Sequence, residues 1–394
     1  MPKILFASPH CLLDETSGAA RCVRTQLRQL ARRGWICRAV TGSVFDSDAP
    51  LNARAVLLTH GAQSVGAVGN HPLMGKIDDG VEHVLVPMSD TRRLNITAAD
   101  EMRIFNVVEQ SLDSLKPDIL YMYGGLLLER SIQQAAMKRD IPIVFQLANG
   151  SYADDAPMRD CALVLTPSTA LADLYAERFG LLPQSMGGTF VDVSSVMAER
   201  PSPDRVTFIT PGPEKGVTLF LELARQAQKR LPDVRFLVVE GRCSKERVAD
   251  ILQCDLAEWP NVEFIPKQRE MVNVYARTKV LLVPSFWNEG FPRILVEAQA
   301  NSIPVIASHQ TAICEALAGG GTVLEVPERC ITNFLEWPTE AEVQPWLEKL
   351  AELMTSRDLY EDAAIKAQEA AGKYGLEHLT DRLVSLLEGV LGNK

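Results

Sequence analysis

The sequence predicts an α/β protein with two doubly wound domains, each a mainly parallel sheet wrapped by helices. Three observations carry this. Short apolar runs of four to seven residues alternate with longer amphipathic stretches, the pattern of strands buried on both faces and of the helices that connect them. The alternation comes in two series, separated by the polar, Pro-bearing stretch Ala198-Glu199-Arg200-Pro201-Ser202-Pro203-Asp204. At 394 residues the chain also exceeds what a single hydrophobic core usually organises.

In the first series the apolar runs at 3–8, 36–41, 55–59, 83–86, 118–122, 141–147 and 161–166 read as strands, and 20–33, 99–115 and 168–179 as helices. The second series opens with Arg205-Val206-Thr207-Phe208-Ile209-Thr210 and continues through 234–240, 262–265, 278–284, 303–308 and 322–326. The tail from Trp346 to Leu391 is helical in pattern, with apolar residues three and four apart over 342–354 and 376–391. The expected organisation is a first domain at 1–198, a second at 204–375, and a terminal helix at 376–394.

Bulk properties narrow the function classes. No run of 18 apolar residues exists, so no membrane span is expected. The start, Met1-Pro2-Lys3, leads straight into a buried strand with no leader pattern, and the eight cysteines form no Cys-x-x-Cys pair. The expectation is a cytoplasmic protein with reduced thiols. A net charge of −10 argues against general nucleic-acid binding. Arg21, Arg24, Arg28 and Arg32 nevertheless fall on one helix face, extended by Arg33. The plainer reading is a solvated face. The sharper one is a dock for an anionic acceptor or a weak contact with an acidic membrane surface through the 21–33 helix.

The chemistry-bearing stretch is Asn288-Glu289-Gly290-Phe291-Pro292-Arg293-Ile294-Leu295-Val296-Glu297-Ala298. Glu289 follows the strand at 278–284, and Glu297 is expected about two turns into the next helix, with Pro292 at the first helical position. At ~1.5 Å rise per residue, the two carboxylates can lie ~8–12 Å apart along one crevice. The free N–H groups of a helix start between them can hold an anion.

This stretch resembles the Glu-x7-Glu motif of retaining glycosyltransferases of the GT-B fold, family 4 in particular. The flanks are similar too: Val283-Pro284-Ser285 before it, then Glu297-Ala298-Gln299-Ala300 and Ile303-Pro304-Val305-Ile306-Ala307-Ser308. The resemblance implies two doubly wound Rossmann-like domains facing a central cleft, with the terminal helix crossing back to the N-terminal domain. It implies a nucleotide-sugar donor on the C-terminal domain and the acceptor on the N-terminal one.

Carried over residue by residue, Lys215 in Pro213-Glu214-Lys215-Gly216 resembles the family's Lys-Gly element and would neutralise the departing diphosphate. Glu289 would orient the donor sugar. Gly290, Phe291, Pro292 and Arg293 would form the donor loop, although Pro292 has no N–H to donate. Glu297 would accept from ribose hydroxyls, and Lys267 lies in the loop placed to meet the base. Gly18 in Ser17-Gly18-Ala19-Ala20 resembles the family's glycine-rich loop, with one glycine where two are common. His10, after the first strand, and Asn149 are candidates for acceptor or sugar contacts. Two departures stand out. The family's Arg shortly before the Lys is absent from Ile209-Thr210-Pro211-Gly212, a charge that Arg293 could supply, and its mid-domain His is replaced at Ala148-Asn149.

The resemblance implies hexosyl transfer from a UDP- or GDP-linked sugar to an acceptor hydroxyl, with retention by a front-face mechanism and with no metal or other cofactor. The acceptor could be a saccharide, a lipid-linked intermediate or a small molecule. Asp46-Ser47-Asp48 is formally a metal-binding Asp-x-Asp, but it falls after the second strand and reads as a solvated loop. Two alternatives stay open: an epimerase or phosphorylase of the same fold, and a nucleotide-sugar-binding partner subunit without catalysis, which the two departures motivate.

Overall fold

The alternation resolves into one mainly parallel and one fully parallel sheet in the computed structural model, which describes residues 1–47 and 50–392. Contacts divide the chain into a first unit, Met1–Phe190 with Leu376–Lys394, and a second, Val191–Gly375.

The first unit begins with β1 (Lys3–His10), α1 (Gly18–Arg32), β2 (Ile36–Val44) and α2 (Ala53–Thr59). An antiparallel pair follows, β3 (Gln63–Val68) and β4 (His71–Asp78), then β5 (Val81–Leu85), α3 (Ala98–Leu115) and β6 (Ile119–Met122). The unit continues through α4 (Leu127–Met137), β7 (Ile143–Gln146), β8 (Leu163–Thr166), α5 (Thr169–Phe179) and β9 (Gln184–Ser185). Among the described residues these strands form one sheet in the order β3-β4-β5-β2-β1-β6-β7-β8-β9. Strand β1 shows why it is central. Ile4 and Phe6 face the core shared with α1, while Leu5 and Ala7 face the one shared with α3 and α4, the period-2 alternation of a strand covered on both sides.

The second unit contains β10 (Arg205–Ile209), α6 (Val217–Arg230), β11 (Arg235–Val239), α7 (Lys245–Leu252), β12 (Val262–Ile265) and α8 (Val272–Arg277). After these come β13 (Thr278–Val283), α9 (Arg293–Ala300), β14 (Val305–Ser308), α10 (Thr311–Leu317) and β15 (Thr322–Leu324). Helices α11 (Glu328–Thr332), α12 (Glu340–Thr355) and α13 (Arg357–Ala371) complete it. Its strands pair in parallel in the order β12-β11-β10-β13-β14-β15. Helix α14 (Leu376–Gly392) returns to the first unit, where Leu379, Leu383 and Leu387 join the core beneath α1.

Three sequence expectations are corrected. The run at 55–59 is helical: Asn52 caps α2 by accepting from the Ala55 N–H, and the buried residues are Ala53 and Leu57, spaced as on one helix face. The β3–β4 hairpin was not anticipated, because β3 is largely exposed and carries no buried alternation. The domain boundary lies at 190/191, ahead of the Pro-bearing stretch. That stretch is bonded into the second unit: Ser202 N–H donates to Ala276 O at 2.7 Å and Asp204 N–H to Arg277 O at 3.0 Å. Val191 and Val196 are buried in that unit's core as well. Of the Asp-x-Asp stretch, Asp46 donates its N–H to Asp14 Oδ2, and Asp48 lies outside the described residues. No described helix is long and apolar enough to cross a membrane. All eight cysteines are free.

The arginine stripe on α1 is turned inward at Arg24 and Arg28 and exposed at Arg32 and Arg33. Arg24 and Arg28 both bind Asp78, through Nε at 2.8 and 2.7 Å, and Arg24 also meets Glu15 at 2.6 Å. Arg32 pairs with Asp79, and Arg33 with Glu377 and Asp381 of α14. Burial alone would push the Asp78 carboxyl up, yet its bonds from Arg28 and Arg24 hold it well below the usual carboxylate range.

Beneath this cluster His83 is buried, and neither ring nitrogen has a hydrogen-bond partner. Burial lowers its pKa from 6.5 to about 4 against the opposing charge of Asp78, whose Oδ2 stands 3.8 Å away, with Arg24, Lys76 and Arg28 acting in the same direction as burial. The unfolded chain therefore binds a proton below about 6.5 that the folded state takes up only near 4. His83 contributes stability at neutral pH that is lost as pH falls through that window. His83→Leu is expected to fold at pH 7 and to flatten the fall of stability between pH 6.5 and 4 by up to ~1.4 kcal/mol per pH unit. Denaturant titrations at stepped pH measure this. An unchanged slope rules out His83 as its source.

Candidate functional site

Ligands of doubly wound sheets lie beyond the carboxyl ends of the strands, where the strand order reverses. In the second unit the chain runs from β10 outward to β12 and then crosses back to β13, so the reversal lies between β10 and β13. The turn after β10 is a short 3-10 segment, Pro213–Lys215, closed by Gly216 at φ +81°. The loop after β13 carries Ser285 to Pro292. The two segments are sewn together. Phe286 and Trp287 both donate their N–H groups to Glu214 O at 3.0 Å, and Ser308 Oγ donates to Ser285 O at 2.7 Å. A Cβ on Gly216 would stand 1.9 Å from Pro284 O. Only glycine tolerates both that backbone angle and that approach.

This joint brings Lys215 and Glu289 into contact. Lys215 Nζ donates to Glu289 Oε1 at 2.5 Å, and Ser285 Oγ donates to the same oxygen at 2.9 Å. The side chains keep 22% and 13% of their exposure, so the pair is sheltered but open to a ligand. The loop beyond is anchored by Phe291, buried in the core with its ring edge against Tyr374 at 5.2 Å. Gly290 is buried beside it. Helix α9 begins at Arg293 with Pro292 at its N-cap rather than in its first turn, and no side chain caps it. Glu297 therefore stands just over one turn into the helix, not two. It is 1% exposed, accepts from the Tyr275 hydroxyl at 2.7 Å, and meets Arg293 Nη2 at 3.4 Å. Arg293 is thus directed to Glu297. Lys267 lies just beyond β12, two strands from β10.

In the first unit the order reverses between β1 and β6. His10 ends β1, and its ring meets that of Tyr123, just past β6, at 5.8 Å. Burial, reinforced by the Arg93 charge, lowers the His10 pKa to about 4, so the imidazole is neutral at pH 7. Gly18 opens α1, exposed and with no side-chain cap on the helix. Asn149 lies past β7, where its Oδ1 accepts from Ser151 N–H at 3.1 Å and from Ser151 Oγ at 2.5 Å.

Sequence reasoning missed residues in both units. Gly124, at φ +100°, follows β6, and a Cβ there would stand 2.7 Å from Glu129 Oε1. Glu129 is buried and bound by Arg93 at 3.0 Å. The paired Gly124-Gly125 at a strand end was the available signal. Ser285 lay in the flank that resembles the family pattern but was given no role, and Tyr275 carries no comparable signal, since its partner Glu297 is reached only by folding. Among the described residues no group of three His, Cys, Asp or Glu side chains is arranged to hold a metal ion.

Two doubly wound units, one with a lysine and a glutamate joined at its strand-order reversal, define a class that the fold comparisons identify. The whole chain has the GT-B fold of the Anabaena protein HepE (Alr3699), solved in complex with UDP and glucose, with a TM-score of 0.70 and 15% identity over 99% of this chain and 100% of that one. It also matches sucrose-phosphate synthase from Thermosynechococcus elongatus, with a TM-score of 0.72 and 12% identity over 100% of both chains. Residues 210–370, within the second unit, match the family Glycosyl transferases group 1. The D-inositol 3-phosphate glycosyltransferase of Corynebacterium urealyticum is 27% identical over 180 residues, which are 44% of this chain and 39% of that protein. The chain thus spans well under half the length of that curated relative.

The Gly216 joint is directly testable. Gly216→Ala is expected to destabilise the protein by well over the ~1–2 kcal/mol that positive φ alone costs a side chain. Gly34→Ala is the control, since Gly34 also has positive φ (+86°) but open space around its Cβ position. Equal losses of melting temperature in the two variants refute the close approach.

Proposed function

We propose that this chain is a retaining glycosyltransferase that moves a hexosyl unit from a UDP- or GDP-linked sugar to an acceptor hydroxyl, without a metal ion. The observation that carries this is the Lys215–Glu289 pair, held at the strand-order reversal by backbone bonds and still partly open. In the second unit the diphosphate lies against Lys215 and the uncapped start of α9, whose amides and macrodipole favour negative charge. Glu289 turns from Lys215 to the donor sugar once the diphosphate engages the lysine. The glycosidic C1–O bond to phosphate breaks as the acceptor oxygen bonds C1 on the same face. The acceptor proton passes to the departing phosphate oxygen, and Lys215 stabilises the charge that remains.

Lys267 belongs to the loop beside the base, and Glu297 to the ribose. The first unit takes the acceptor, with His10 as a neutral hydrogen-bonding group beside the reversal at β1 and β6. The UDP and UDP-glucose bound by HepE support a uridine donor. Eight free thiols support a reducing, cytoplasmic setting.

A partner subunit without catalysis is the second reading. The stretch Ile209-Thr210-Pro211-Gly212 has no arginine where the resembled pattern carries one, and Asn149 Oδ1 is already engaged by Ser151. A thermal-shift panel of UDP, GDP, ADP and their sugar conjugates tests donor binding. A ligand at 100 times its Kd should stabilise by ~2.7 kcal/mol, and Lys215→Ala should abolish that shift. Release of nucleoside diphosphate that depends on an acceptor then separates transfer from binding. Glu289→Gln is expected to lower turnover by at least ~100-fold, the scale of losing one group that acts in the transition state. Turnover equal to wild type would falsify the catalytic reading.

A further inference from the structure

Glu297 has the most restrictive surroundings in the second unit's site. At 1% exposure its carboxyl oxygens are served by protein donors and not by bulk water. Two of its contacts are unequal. The Tyr275 hydroxyl donates to Oε2 at 2.7 Å, whereas Arg293 Nη2 reaches Oε1 only at 3.4 Å. The last torsion of a glutamate is broad and two-fold, so side-chain packing alone does not fix the carboxylate plane. The short bond from Tyr275 does.

Tyr275 is itself held firmly. Its ring is buried among Leu281, Val283, Leu295 and Val296. Its N–H donates to Met271 O at 2.9 Å, which closes the first turn of α8. At the other end of α8, Thr278 Oγ1 donates to Val274 O at 2.8 Å and lies 2.9 Å from Thr207 Oγ1 of β10. The hydroxyl therefore reaches α9 from a base tied to the central strand. Helix α8 also follows directly on the loop that carries Lys267.

We infer that Tyr275 is a positioning residue of the donor site. Its hydroxyl holds the Glu297 carboxylate in the orientation in which Oε1 receives a ribose hydroxyl of the nucleotide. The inference rests on the proposal that the second unit binds a nucleotide-sugar. Because α8 begins where the Lys267 loop ends, the same side chain references the base loop and the ribose carboxylate to each other.

The test uses Tyr275→Phe, which keeps the ring, and calorimetric binding of UDP and GDP, each beside its 2′,3′-dideoxy form. Wild type is expected to prefer the ribonucleotide. Tyr275→Phe should weaken ribonucleotide binding by about tenfold and leave the dideoxy form unaffected, so that the preference collapses. Glu297→Gln should collapse it likewise, and the double variant should add no further loss. A Tyr275→Phe variant that weakens both forms equally, or neither, overturns the inference, since a packing role does not distinguish the sugars. If Tyr275→Phe fails to fold, wild type and Glu297→Gln decide: an undiminished preference in Glu297→Gln overturns the inference, and a collapsed one upholds the orientation that it assigns. Wild type binding neither nucleotide overturns the donor-site proposal and this inference together. Wild type binding both sugar forms equally overturns this inference alone.

Discussion

The second unit's site depends on one close approach of backbone to backbone. Gly216 packs against the Pro284 carbonyl where no side chain fits, and the Glu214 carbonyl then receives two amides of the neighbouring loop. These contacts set the height of the turn after β10 against the loop after β13. A lysine on one and a glutamate on the other are within bonding distance for that reason alone. Ser285 and Ser308 add hydroxyl bonds to the same joint. Phe291, buried against Tyr374, anchors the far end of the loop. The polar pair is thus carried on a frame of backbone bonds and one aromatic contact, and its geometry does not rely on the pair's own attraction.

The parts of this that were legible in the sequence are those with a local cause. Apolar runs mark buried parallel strands because both faces must be covered, and twelve of the fifteen described strands were read from them; the hairpin strands β3 and β4 and the two-residue β9 were not. Lys215, Glu289 and Glu297 were singled out by resemblance to a family motif, which is legible because its residues lie close together at strand ends. The helix at 53–59 was misread because a run of four apolar residues fits either period, and the Asn52 cap decides it. The domain boundary was misplaced for another reason. Prolines and polar residues report backbone that is not in a sheet, and they do not report backbone without partners. The positions of Tyr275 and Arg93 against their carboxylates are long-range, so no window of sequence contains them.

Two arginines of α1 are turned inward. With a net charge of −10 the basic residues are the minority sign, and Arg24 and Arg28 converge on Asp78 of β4. Asp78 accepts from both while largely buried. Such buried pairs add little net stability, because desolvation offsets most of the attraction, but a mispaired alternative would strand a charge.

Helix α14 lies at the end of the chain, yet its leucines complete the core under α1. The polypeptide therefore passes from the first unit to the second and back again. During synthesis the face of the first unit beneath α1 stays uncovered until the whole of the second unit has left the ribosome. The order of manufacture and the order of completion are opposite: the half that is made first is finished last.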